Sequence, residues 1–290
     1  MALLSIHVLG PFQVRLSQEP LTGFATDKVR ALLVYLALSP DRPHRREALA
    51  GLLWPEFPER SARNNLRNAL ANLRHVIRDG AASPPFLHCT RQTIQFNGQS
   101  DYWLDADAFE DLLALHPTMS VKLEQAVKLV RGRFLEGFSL ADAAPFDEWL
   151  LLRREHYGRR VVEALDRLVT IHENHDASEL ALAYARRRVE LEPWQEEGQR
   201  QLMRLLIRTG RQSEALAIFE AHRQVLAAEL DVEPAPETIR LYELIRNGDL
   251  NLPTPAPVHD TSLPLPGFLK QERDAVDPPL FFARERELAH

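Results

Sequence analysis

A repeat at an offset of 34 residues constrains the carboxyl-terminal half of this chain more than any other feature. Leu168 and Ile171 are matched 34 positions on by Leu202 and Leu205, and Ala181 is matched by Ala215. Ala181 and Ala185 put small residues where two helices would cross closely, and Pro193 stands where the second helix of a pair would close. Gly210 then supplies a turn ahead of Ala215 and Phe219. A period of this length means stacked helix pairs, each burying its apolar face on the next. Apolar spacing predicts helices at about 105–116, 120–131, 145–174, 176–191, 195–209, 211–230 and 236–246.

The period is that of tetratricopeptide units, and the first hundred residues do not share it. Residues 3–9 and 12–16 read as two short strands broken by Gly10-Pro11. A turn at Gln18–Pro20 follows, with a third strand expected over Leu21–Ala25. Thr26 or Asp27 caps a helix that runs to Leu38 with Val29, Leu32, Leu33 and Leu36 inward. A second helix is expected from Arg45 to Trp54, and Pro55 and Pro58 break the chain before a third from Ser61 to Asp79. Phe86–Thr90 and Thr93–Asn97 alternate as a hairpin with Arg91-Gln92 at its tip. Strands, three helices and a hairpin make a winged helix-turn-helix. The fold class is therefore mainly α with a small β part: a winged helix over 1–100, then an all-α tetratricopeptide-like domain over 101–247. Residues 248–280 hold seven prolines and read as a linker.

The third helix separates into two sides at 100° per residue. Ala62, Leu66, Ala69, Leu70, Leu73 and Ile77 gather on one side, and Asn64, Arg67, Asn68, Ala71, Asn72 and His75 on the other, with Ser61 as the expected N-cap. A solvated helix face ordinarily mixes Glu with Lys, because such pairs at i,i+4 favour the helix. Here no acidic residue occurs between Glu59 and Asp79. Arg and Asn can offer paired groups to the edges of guanine and adenine. Asn64, Arg67, Asn68 and Asn72 are the residues expected nearest the bases, with His75 on the same side. Arg45, Arg46, Arg63 and Arg74 are expected to bind phosphate or to pack at the flanks, and Arg91 to enter the minor groove. An ordinary Arg-rich surface helix is the alternative on these residues alone.

Charge distribution favours the nucleic-acid reading. Residues 1–99 carry 12 Lys and Arg against 7 Asp and Glu, while the other 191 residues carry 23 against 34. A positive domain on an acidic protein suits phosphate. The longest apolar run, Ala31–Leu38, is too short to span a bilayer, and MALLSIHVLGPF lacks the basic start of a signal peptide. A single cysteine, Cys89, excludes an internal disulfide, fits a reducing cytoplasm and reads as inert within a strand. His172-Glu173-Asn174-His175 has the wrong spacing for a helical metal pair and reads as a solvated helix end. Trp103 and Trp149 follow apolar spacing and read as core. No nucleophile, base or carboxylate pair stands out, so no enzyme, cofactor or metal is expected.

Over residues 3–246 the chain resembles the Streptomyces antibiotic regulatory protein type of transcriptional regulator. The likeness rests on VLGPFQV (8–14), KVRALLVYLAL (28–38), REALAGLLWPE (46–56), SARNNLRNALANLR (61–74), GRQSEALAIFEAHRQVLAAELDVEP (210–234) and the Leu241–Ile245 helix. The resemblance implies a winged helix like that of response-regulator output domains, joined to a bacterial transcriptional activator domain. It further implies binding of double-stranded DNA, often at direct repeats near a promoter, and contact with RNA polymerase. The partner expected at the helical-repeat surface is a second protomer on the DNA, polymerase or an ATPase module. Two departures stand out. Gln92-Thr93-Ile94-Gln95 occupies the place of a Gly-Tyr-Arg-like wing strand. FFARERELAH looks like the FxGREREL entry to the nucleotide-binding module of large signalling ATPases, with Ala283 in place of Gly. No Gly-Lys-Ser/Thr phosphate loop occurs, so either such a module lies beyond His290 or the chain is a short regulator that has lost it. The rival reading is a tetratricopeptide-type interaction scaffold of a signalling ATPase, with no direct DNA reading.

Overall fold

The computed structural model describes residues 3–114 and 119–249. Residues 250–280 of the expected linker and the FFARERELAH segment lie outside the described residues.

Alternation organises the amino-terminal sheet. Leu4 and Ile6 of β1 (Leu4–His7), and Val14 and Leu16 of β2 (Gln13–Leu16), are buried at every second position. The two strands pair antiparallel, Leu4 opposite Leu16 and His7 opposite Gln13. Ser17 and Gln18 then take φ of 49° and 75°, giving a two-residue turn whose twist suits a hairpin. The chain therefore returns at once as β3 (Glu19–Pro20), and the strand expected over Leu21–Ala25 does not form. Pro20 has no N–H to continue the ladder. On its other edge β1 pairs parallel with β7 (Tyr102–Leu104), so the sheet order is β3-β2-β1-β7.

Three helices pack beside it. α1 (Asp27–Ala37) starts after Thr26 and buries Val29, Leu32, Leu33 and Leu36. α2 (Arg46–Leu53) is short, and α3 (Glu59–Val76) runs for 18 residues. The expected start of α3 at Ser61 is two residues late. Pro58 occupies the N-cap with extended backbone, and its carbonyl accepts the Ala62 N–H at 2.9 Å. Glu59 then sits in the first turn, where a carboxylate complements the positive end of the helix. β4 (His44–Arg45), β5 (Leu87–Cys89) and β6 (Thr93–Phe96) form a second sheet in the order β4-β6-β5. Strand β4 was not foreseen, and it places Arg45 in this wing sheet rather than on α2.

The remaining elements are α4 (Asp105–Ala114), α5 (Ser120–Leu129), α6 (Ala144–Asn174), α7 (Ser178–Leu191), α8 (Glu196–Arg208), α9 (Gln212–Glu229) and α10 (Pro236–Asn247). Ala181, Ala185 and Ala215 are buried where helices cross, as the repeat requires. The Pro193 carbonyl accepts from Gln199 Nε2, and His222 Nδ1 of the next helix lies 3.0 Å from it. His172 does not lie on a solvated helix end. α6 continues to Asn174 while α7 folds back along it, so His172 is buried, stacked on Tyr184 at 5.5 Å. Its Nε2 is 3.3 Å from Glu124 Oε1, and burial lowers its pKa.

The described residues belong to one compact unit, because the chain just after β1 is fastened to the helices that follow it. The Asp105 carboxylate is buried and accepts the Val8 and Leu9 N–H groups at 2.8–2.9 Å. The carbonyls of Leu9 and Val8 accept the N–H groups of Arg131 and Leu135, both at 2.8 Å. Gly10, at φ +138°, lies so close to Arg131 that a Cβ would meet the Arg131 Cβ at 3.0 Å. Lys28 of α1 pairs with Asp142 at 2.7 Å, and Tyr35 packs on Trp149 of α6 at 5.2 Å. Trp103 lies edge-on to His7 at 5.0 Å. Both tryptophans are thus half-buried packing residues. Among the described residues no helix is long and apolar enough to cross a membrane.

Candidate nucleic-acid interface

α3 is amphipathic around one line. Ala62, Leu66, Ala69, Leu70, Leu73 and Val76 are buried against α1 and α2. At 100° per residue, Arg60, Asn64, Arg67, Asn68, Ala71 and His75 fall within about 60° of the line opposite that core. All six are exposed. None of their side chains makes a hydrogen bond or ion pair among the described residues.

The helix flanks behave differently. Arg63 pairs with Glu59 one turn back and lies 3.3 Å from Glu47 on α2. Asn72 accepts the Ala25 N–H on Oδ1 at 3.0 Å and donates from Nδ2 to the Gly23 carbonyl at 3.3 Å. Its amide therefore fastens the loop before α1 to the helix. Arg74 donates from Nε to the buried Asp79 at 2.8 Å, and this bond raises the guanidinium pKa. Intramolecular bonding has taken up the side chains nearest the core boundary and left the outermost line open.

The wing is tied to α2 and α3 by side-chain bonds. Arg46 donates from Nε to the Thr90 carbonyl at 3.1 Å, joining the start of α2 to the hairpin. Thr90 Oγ1 accepts the N–H groups of Gln92 at 3.2 Å and Thr93 at 2.9 Å. This holds the tip tightly, with Arg91 exposed at its corner. Arg45 is exposed and without a side-chain partner. Cys89 is exposed on β5.

Sequence reasoning placed Asn64, Arg67, Asn68 and His75 on one face, and the structure brings these together. It missed Arg60, which a helix starting at Ser61 excludes. The signal was present in Glu59 and Arg63, an acid–base pair at i,i+4 that belongs inside a helix. Among the described residues, Arg60 and Arg67 of α3, Arg45 of β4 and Arg91 of the hairpin make no side-chain hydrogen bond or ion pair. Such a surface can meet phosphate through charge and base edges through Arg and Asn. Among the described residues no group of three or more His, Cys, Asp or Glu could hold a metal ion.

Comparison with known proteins bears on both halves. The bacterial transcriptional activator domain matches residues 104–246. The regulatory protein AfsR of Streptomyces griseus is 29% identical over 294 residues, covering 97% of this chain. The transcriptional regulatory protein EmbR of Mycobacterium tuberculosis is 26% identical over 253 residues, covering 83% of this chain. The chain is similar to transcriptional regulators of the Streptomyces antibiotic regulatory protein type, and its residues 104–246 match their bacterial transcriptional activator domain. It spans 63% of the length of EmbR and 28% of that of AfsR. A solved structure of M. tuberculosis EmbR in complex with a low affinity phosphopeptide superposes with a TM-score of 0.62 at 22% identity. That match covers 86% of this chain and 66% of the other, and it shows the shared fold: a winged helix-turn-helix followed by a tetratricopeptide-like helical domain.

Proposed function

We propose that this chain is a sequence-specific DNA-binding transcriptional regulator, acting as an activator in the cytoplasm. α3 enters the major groove, Arg45 and Arg91 anchor neighbouring phosphate or minor groove, and the helical-repeat domain contacts RNA polymerase or a second protomer on direct repeats. Residues 1–100 carry the DNA function and 101–247 the partner function. The observation that carries this reading is the outer line of α3, which holds Arg and Asn side chains with no partner among the described residues and no carboxylate on that line.

Two substitutions test it on a duplex selected from a random pool and on a scrambled one. Asn68→Ala removes an uncharged donor–acceptor pair, so affinity for the selected duplex falls about 5- to 150-fold while nonspecific affinity holds. Arg45→Ala removes a charge, so all duplexes weaken together and the slope of log K against log salt becomes shallower by about 0.9. No effect of either substitution would count against docking through this face.

A second reading is supported by a cavity of about 300 Å³ between α6, α7 and α8. Asp166, Glu173, Arg188, Glu197, Gln201 and Arg204 line it. A protein-interaction scaffold would use such a charged groove, and it would show no salt-dependent DNA binding.

A further inference from the structure

Resting on the DNA reading above, we propose that Arg60 is a specificity-determining residue that contacts a guanine edge in the major groove. Three observations bear on it. First, α3 begins at Glu59, so Arg60 is the second residue of the helix and lies on the same outward line as Asn64, Arg67 and Ala71. Second, Arg60 is exposed and makes no hydrogen bond, ion pair or ring contact among the described residues. Its neighbour Glu59 is already paired with Arg63.

Third, the position is unfavourable for a cation. The first turn of a helix carries exposed N–H groups and the positive end of the peptide dipoles. An arginine there, with the Glu59 carboxylate of the same turn already paired with Arg63, is a local cost with no return among the described residues. Residues that break a local rule without compensation are those expected to act on something outside the chain. An arginine at the leading end of a reading helix presents a forked pair of donors, which matches O6 and N7 of guanine.

The spacing gives the assignment further content. Arg60 and Arg67 are seven residues apart, about 10.5 Å along the helix. With about 3.4 Å per base step, the two forks reach guanines about three steps apart when α3 lies along the groove. Asn64 stands between them, suited to adenine, and the Ala71 methyl suits a thymine methyl. The half-site is therefore a short guanine–adenine element framed by two G·C pairs.

The test uses the full 290-residue chain. Duplexes are selected from a random pool with the parent, and each guanine of the enriched site is replaced in turn by 7-deazaguanine, which lacks the N7 acceptor. Arg60→Ala is expected to lose about 5- to 150-fold on the enriched site, with scrambled duplexes falling far less. At one guanine, 7-deazaguanine should weaken the parent but add nothing to the Arg60→Ala loss. Arg60→Lys should keep the salt slope while losing the preference for that guanine. Equal losses on enriched and scrambled duplexes with a shallower salt slope would make Arg60 a phosphate anchor and overturn the assignment. So would an Arg60→Ala protein that binds like the parent, or additive losses at every guanine. Failure of the parent to enrich any sequence would overturn the DNA reading itself, and this assignment with it.

Discussion

The guanidinium of Arg74 donates from Nε to Oδ2 of Asp79 at 2.8 Å, while Oδ1 of the same carboxylate accepts the Leu87 N–H at 3.0 Å. Asp79 is fully buried and Arg74 is half-exposed. One carboxylate therefore fixes the end of α3 to β5, setting the angle between helix and wing. An exposed pair would contribute under 1 kcal/mol. This one is anchored on a buried group, so Arg74→Ala leaves a buried charge with a single remaining partner. We expect Arg74→Ala and Asp79→Ala each to lower stability by about 1.5–3 kcal/mol in urea unfolding. A change below about 0.5 kcal/mol for Arg74→Ala would mean the bridge is not holding the wing.

Asn72 and Asn68 separate holding from reading on one helix. Asn72 makes two neutral hydrogen bonds to the Gly23–Ala25 backbone, whereas Asn68 makes none. Asn72→Ala should cost about 1–2 kcal/mol of stability and leave the rank order of bound sequences unchanged. Asn68→Ala should leave the melting temperature where it is and alter that rank order. A reversed pattern, seen by melting and competition binding, would place Asn72 among the reading residues.

His7 and Asp105 make opposite contributions to stability as pH changes. Burial raises the Asp105 pKa to about 6, against the pull of the Val8 and Leu9 N–H groups and Arg131. The native state then holds a proton more readily than the unfolded chain between about pH 4 and 6, so this group's contribution to stability decreases as pH rises through that window. Burial first, then Arg131 and Arg15, lower His7 to about 4. Here the unfolded chain binds the proton more readily, so stability increases as pH rises from about 4 to 6.5. His7 Nδ1 lies 4.0 Å from Asp105 Oδ2, and the two contributions to the pH profile largely cancel. We expect a shallow profile for the parent, a rising one for Asp105→Asn and a falling one for His7→Gln, each by about 2 kcal/mol across the window. Parallel profiles in all three proteins would refute the opposition.

The helical half was legible because its signals are local and repeated. A 34-residue offset and buried small residues such as Ala181 and Ala215 survive without knowledge of partners. The joint was not legible. β7 is three residues long and pairs with a strand almost a hundred positions earlier, so neither periodicity nor turn chemistry announces it. The same holds for β4, which is two residues long. On α3 the sequence gives the face but not the sorting within it. Asn72 and Asn68 are the same residue type four positions apart, and only the loop at Gly23–Ala25 decides which one is occupied. Arg60 was hidden by a three-residue error in the N-cap, since Ser61 looks like a better cap than Pro58.

The joint between the halves yields the last prediction. Trp149 of α6 packs on Tyr35 of α1 at 5.2 Å, on Phe146 at 5.2 Å and on Phe134 at 6.3 Å. Removing a fully buried aromatic costs about 3–5 kcal/mol, and Trp149 is half-buried, so we expect about 2–4 kcal/mol for Trp149→Ala. The distribution of that loss matters more than its size. Val8 and Leu9, just after β1, are bonded to Asp105, Arg131 and Leu135, and α1 is tied to Asp142 through Lys28, so the two halves share a continuous set of contacts. If they unfold together, amide protection at Ile6 in β1 and at Leu168 in α6 will fall by the same free energy in Trp149→Ala. Leu151→Ala, two positions on and 65% exposed, should change neither by more than about 0.5 kcal/mol. Two separated unfolding transitions, with protection at Ile6 unchanged, would show that the winged domain is stable without its helical neighbour.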